Sequence, residues 1–131
     1  MTSSWIVAIG AGSVLLALGS QSVAHHGQAG LFDQKRMVEM TGSVKEWSFV
    51  NPHPVLLIEI TAADGTTTEW DVYFGPSAVS ALRNRGFSAA TFKVGETVIV
   101  NGHPATAAGA RGIDVWGADS TVKRADGTPI P

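Results

Sequence analysis

Asp64-Gly65 separates two β-rich runs, and this arrangement constrains the fold more than any other feature of the chain. The first run, Val55–Thr61, reads Val-Leu-Leu-Ile-Glu-Ile-Thr; the second, 66–74, alternates Trp70, Val72 and Phe74 with Glu69, Asp71 and Tyr73. Successive strand side chains point to opposite faces, so the second run presents an apolar face to a core and a largely polar face to water. An Asp-Gly pair between such runs favours the tight turns that join antiparallel strands. A lone hairpin is marginal in water, so the flanking sequence has to supply more strands.

It does so on both sides. A run over 38–49 carries Thr41, Val44, Trp47 and Phe49, with Gly42 where a strand can bend. It ends at Asn51-Pro52-His53-Pro54, where two prolines remove two backbone donors and make a rigid connection. After the hairpin, Gly75-Pro76-Ser77 leads into 78–86, which reads as one short helix: Pro76 suits the first turn, Val79 and Leu82 face the core, and Gly86 provides the C-cap. Lys93-Val94-Gly95 turns into a fourth strand, 96–100, closed by Asn101-Gly102-His103-Pro104. An Ala- and Gly-rich loop, 105–112, precedes a last strand expected from Ile113 through Val115 and Trp116 to about Lys123. Three strands, a helix and two strands are the order of a mainly β, five-stranded OB-like barrel with one short helix between strands 3 and 4. An immunoglobulin-like sandwich needs seven strands and no helix. The barrel domain is assigned to 37–124, an extended lead-in to 25–36, and a loose tail to 125–131.

Residues 1–24 read as a signal peptide. The stretch 5–18 is apolar or small and uncharged, and Ser22 and Ala24 place small residues where a signal peptidase requires them, so cleavage is expected after Ala24. The n-region departs from the pattern in having no Lys or Arg. A retained span needs about 20 predominantly apolar residues, and Gly10, Gly12 and Ser13 interrupt this shorter one; membrane contact is therefore expected only through an uncleaved segment. The mature chain would be periplasmic or secreted, with roughly 100 residues and room for one core. The absence of cysteine excludes a lipid anchor on cysteine, thiol redox chemistry and thiolate metal sites. Every charged side chain lies after Ala24, the net charge is −2, and the basic residues are scattered, which argues against nucleic acid as a partner.

The segments Ala24-His25-His26, Thr41-Gly42-Ser43-Val44, Asn51-Pro52-His53, Ala81-Leu82-Arg83-Asn84-Arg85-Gly86 and Gly95-Glu96-Thr97-Val98 span nearly the whole mature chain. In these the chain resembles a family of small exported bacterial proteins of unknown function with an Ala-His-His mature start and an Asn-Pro-His turn. The resemblance implies the OB-like barrel and the exported address, and no established activity. It departs from the family at Gly27, where a Ser or similar residue usually follows the paired histidines.

The four histidines are the only constellation that invites chemistry. Cleavage after Ala24 gives His25 an α-amine and an imidazole, which together chelate a divalent metal; one further imidazole completes a three-nitrogen site suited to Cu(II). His53 on its stiff turn is the first candidate partner, because little ordering entropy is lost when it coordinates. His26 and His103 are reserves. Cleavage one residue earlier would instead let the amine, two backbone amides and His26 hold copper in a square plane. Either site needs neutral nitrogens, so copper affinity is expected to fall as pH drops through roughly 6 to 8. The alternative is that His25-His26 is simply solvated, that His53 serves its own turn, and that His103 occupies an exposed hairpin end.

Other candidates are weaker. Glu69 and Asp71 lie two apart on one strand face, an ordinary pattern for a solvated strand. Trp47, Trp70 and Trp116 offer stacking surfaces for an OB groove, but core packing accounts for at least two of them. The leading functional reading is a small exported binding protein that takes Cu(II) through the mature N-terminal histidine. A second is an envelope protein–protein interaction module without metal. A copper-dependent oxidative enzyme is the third, and no substrate platform can be traced for it.

Overall fold

The computed structural model describes residues 30–131; the expected signal peptide, His25 and His26 lie outside the described residues. The elements follow as β1 (Val38–Ser48), β2 (Val55–Thr61), β3 (Thr67–Tyr73), α1 (Val79–Asn84), β4 (Thr97–Pro104), β5 (Gly112–Asp114) and β6 (Thr121–Arg124). Strands β1, β2, β3, β5 and β4 are neighbours in that order, and pairing of β1 with β4 closes them into a barrel. This is the expected five-stranded barrel, with α1 between β3 and β4.

Local chemistry accounts for each element. The β2–β3 hairpin turns at Asp64-Gly65, where Gly65 takes φ +84° and Asp64 Oδ1 accepts the Thr66 N–H at 2.9 Å. Strand β1 serves two partners, pairing with β4 from Val38 to Ser43 and with β2 from Ser43 to Ser48. It changes direction at a bulge where the register shifts between Val44 and Glu46, leaving Lys45 as the extra residue. Gly42 has a different role: a Cβ there would lie 2.9 Å from the Glu59 carbonyl oxygen, so glycine lets β1 and β2 approach. Helix α1 ends in two reverse bonds, Phe87 N–H to Leu82 O and Gly86 N–H to Arg83 O, with Gly86 at φ +95° as its sequence predicts.

Alternation sorts the barrel's inside from its outside. Val44, Leu56, Ile58, Val72, Leu82, Val98, Val100 and Ile113 are fully enclosed; each such side chain contributes about 1.5–3 kcal/mol relative to exposure. Beneath α1, Trp47 packs edge-on to Phe92 and Phe74, with ring centroids 4.9 and 5.5 Å away, and its Nε1–H donates to Ser88 O at 2.8 Å.

Three expectations need correction. The last strand is divided: β5 ends at Asp114 and β6 begins at Thr121, with a Gly117–Ser120 turn between them closed by Ser120 N–H to Gly117 O. Gly, Asp and Ser bonded locally break the ladder there. The segment Asn101-Gly102-His103-Pro104, read as a closing turn, is the second half of β4, and His103 is buried instead of sitting at a hairpin end. The tail 125–131, expected to be loose, turns at Gly127 (φ +85°), returns along β6 with Ile130 N–H bonded to Val122 O, and places Ile130 in the core.

Candidate functional site

A cleft of about 700 Å³ opens on the outer face of the barrel, between the β1–β2 turn and the β4–β5 loop. These are the connections that flank the ligand face of OB folds. Its floor follows from the parallel register of β3 and β5, which pairs Asp71 with Gly112, Val72 with Ile113 and Tyr73 with Asp114. Because Val72 and Ile113 point into the core, Asp71, Tyr73, Gly112 and Asp114 share the opposite face.

One wall is the lead-in to β1. Phe32 bridges to Ala105, Leu31 O accepts the Thr106 N–H at 2.8 Å, and Asp33 N–H donates to Pro104 O at 2.8 Å. The Phe32 ring lies 5.6 Å from that of Tyr73. The opposite wall comprises Gly75, Pro76, Trp116 and His53. Gly75 has φ +61°, and a Cβ there would lie 2.5 Å from Trp116 Cγ, so only glycine permits the indole to close on the chain. Arg85 stacks its guanidinium on Trp116, 4.8 Å from the ring centroid. His53 is exposed at the rim. Its turn is anchored by buried Pro54 and by Asn51 Oδ1, which accepts the Val79 N–H at the start of α1 at 3.2 Å.

The lining is largely apolar; its polar side chains are Gln34, Tyr73, Thr106 and His53, and its charged ones Asp71, Asp114 and Arg111. Burial pushes the Asp114 carboxyl above the usual carboxylate range, partly countered by hydrogen bonds from the Gly75 and Trp116 N–H groups and by nearby His103. Burial also raises the Tyr73 phenol, assisted by the charge of Asp71, whose Oδ2 accepts the Tyr73 hydroxyl at 3.3 Å. Among the described residues, the ion pairs are Lys45–Glu59, Arg124–Glu96 and His103–Asp119, so Asp71, Asp114 and Arg111 take part in none.

The expected ligands separate. His53 lines the cleft. His103 lies outside that lining, only 4% exposed, with Nδ1–H donated to Arg36 O at 2.8 Å and Nε2 facing Asp119 Oδ1 at 3.3 Å. His25 and His26 lie outside the described residues, and no group of three or more His, Asp or Glu side chains converges on a metal position among the described ones. Asp71 faces the cleft, whereas Glu69 stands exposed opposite Glu59. Core packing accounts for two of the tryptophans, Trp47 and Trp70, and Trp116 lines the cleft. Sequence reasoning missed Phe32, Arg111 and Asp114. Alternation about Ile113 pointed outward at Asp114, but only the β3–β5 register joins it to Tyr73.

Fold and cleft together define a small OB-like barrel with one open, largely apolar cleft on its loop-flanked face. The chain belongs to DUF6152, a family of unknown function whose model matches residues 11–114. The match takes in every strand of the closed barrel and stops at the end of β5. No curated protein and no solved structure shows a match to the chain.

Proposed function

We propose that this is an exported binding module whose ligand seat is the cleft between the β1–β2 turn and the β4–β5 loop, with Cu(II) held at its rim by His25 and His53. The observation that carries the proposal is that His53 and Leu31 line one cleft, and His25 is six residues ahead of Leu31 in the chain. Six extended residues reach at most about 20 Å, which brings the amine and imidazole of a mature His25 within range of the rim. The chemistry fits a nitrogen-coordinated metal: His53 is exposed, on an anchored turn, and unoccupied by internal hydrogen bonds among the described residues. Asp71 and Asp114 add negative charge nearby.

Export is part of the proposal, since cleavage after Ala24 creates the amine that His25 contributes. Among the described residues no helix is long and apolar enough to cross a membrane.

The test is intact mass of the exported protein, followed by copper titration of the native, His25→Ala and His53→Ala forms. The expected mass corresponds to a chain beginning at His25, with sub-micromolar copper binding that weakens at least tenfold in either variant. Binding that survives loss of His25 unchanged overturns the N-terminal site. Absence of copper binding favours the protein-interaction reading.

A further inference from the structure

The body of the cleft is chemically unlike its rim. Hydrated metal ions do not favour a surface made of Leu31, Phe32, Pro76 and the alanines of the β4–β5 loop. A volume of about 700 Å³ is that of a small organic molecule's site. The charge on its floor has a definite sign. Asp71 and Asp114 project from adjacent strands, two positions apart in the parallel register with the Val72–Ile113 pair between them, and neither forms an ion pair within the described residues. Arg111, the one guanidinium of the lining, is exposed on the loop.

Aromatic rings stand beside these carboxylates. Tyr73 directs its hydroxyl to Asp71 and shares an aromatic contact with Phe32. Trp116 stacks with the Arg85 guanidinium and abuts Gly75, and contributes apolar aromatic surface to the wall. Carboxylates flanked by aromatic rings over an apolar bed attract a cation that is large and weakly hydrated. They discriminate against an anion of the same shape.

We infer that the cleft binds an organic ammonium compound, its apolar body against Leu31, Phe32 and Pro76 and its positive group beside Asp71, Tyr73 and Asp114. This rests on the reading of the cleft as a ligand seat but not on copper. Arg111 and His53, the other ionisable side chains of the lining, are both exposed.

Three probes sharing one phenethyl body decide the matter: phenethyltrimethylammonium, neutral 2-phenylethanol and anionic 3-phenylpropionate, titrated into the mature protein by calorimetry with EDTA present to remove metal. The ammonium is expected to bind at least tenfold more tightly than either other probe. Asp71→Asn and Asp114→Asn, which keep an acceptor oxygen, are each expected to weaken it at least threefold while the neutral probe is unaffected. Thermal melts verify that the variants are folded, and Asp71→Asn leaves the Asp114–Gly75 bond intact. Equal binding of all three probes overturns the charge selectivity but leaves the cleft as a seat. Tighter binding of the anion overturns it in favour of Arg111 and His53. Failure of all three overturns the small-molecule seat itself and leaves the cleft to a polypeptide.

Discussion

Asp114 Oδ1 accepts the backbone N–H of Gly75 at 2.9 Å, joining the end of β5 to the turn after β3 across 39 residues of sequence. The bond holds the turn against Trp116, whose indole lies where a Gly75 side chain would be. Gly75→Ala therefore has to strain a left-handed backbone and displace the indole. The expected loss is about 1–3 kcal/mol, read by chemical denaturation, with a change in Trp116 emission and weaker binding in the cleft. A neutral result would mean that the Gly75–Trp116 contact is not a fixed part of the wall.

Trp47 and Trp116 separate stability from recognition. Trp47 sits among Phe74, Phe87 and Phe92 and donates to Ser88 O. Removing such a side chain as Trp47→Ala is expected to cost about 3–5 kcal/mol. Trp116 is 37% exposed at the cleft. Trp116→Ala should cost less than half as much in denaturant melts while reducing affinity for the ammonium probe at least fivefold.

His103 makes stability depend on pH. Burial alone lowers its pKa, but the Arg36 carbonyl and the Asp119 carboxylate outweigh burial, and the net shift is upward. With the Nδ1 proton committed to Arg36 O, a neutral ring turns a lone pair toward Asp119; protonation converts this into a donated bond. A folded pKa above the unfolded value of about 6.5 gives stabilisation that is fully present below that value and is lost as pH rises through the folded pKa. The stability gap between the native protein and His103→Gln is thus expected to shrink from about pH 6.5 upward. Asp119→Asn should flatten that dependence. Denaturation at a series of pH values, with an NMR titration of the ring, measures both.

Ile130 closes the core from the C-terminal end. It is only 6% exposed and its N–H bonds to Val122 O at 2.8 Å. Ile130→Ala is expected to destabilise by about 2–5 kcal/mol, and truncation after Arg124 by more. For a domain of this size, each kcal/mol lowers the melting temperature by about 4–8 °C.

The parts of the fold that were legible in the sequence are those written in local patterns. Trp70, Val72 and Phe74 alternating with polar residues, Asp64-Gly65 at a turn and Gly86 after a helix each act within a few neighbours, and each stands where the pattern put it. Asp126-Gly127 carries the same turn signal as Asp64-Gly65, yet no long apolar run follows it, and one residue, Ile130, anchors that return. His103 was misread because Asn-Gly-His-Pro has the composition of a turn. Pairing of Asn101 with β1 and β6 on opposite edges, and of Gly102 with β1, overrides that preference, and pairing with β5 extends the strand through His103 to Pro104.

The candidate site was legible at His53 and Trp116 and, as a weaker candidate, at Asp71. Its floor depends on the parallel β3–β5 pairing, which joins residues about forty positions apart and leaves no local trace. Phe32 belongs to a lead-in whose position is decided by Ala105 and Thr106, far along the chain. Alternation shows which side of a strand is polar, but not which two polar sides share a wall.

The most direct test of the central claim is an amide NMR spectrum of the mature protein during sub-stoichiometric addition of Cu(II), whose unpaired electron broadens signals of nearby nuclei. Signals from His53, Leu31, Phe32, Gly75 and Trp116 are expected to be lost selectively, and the loss to be abolished in His53→Ala. Broadening centred on His103 and Asp119, or unchanged in His53→Ala, would contradict that claim.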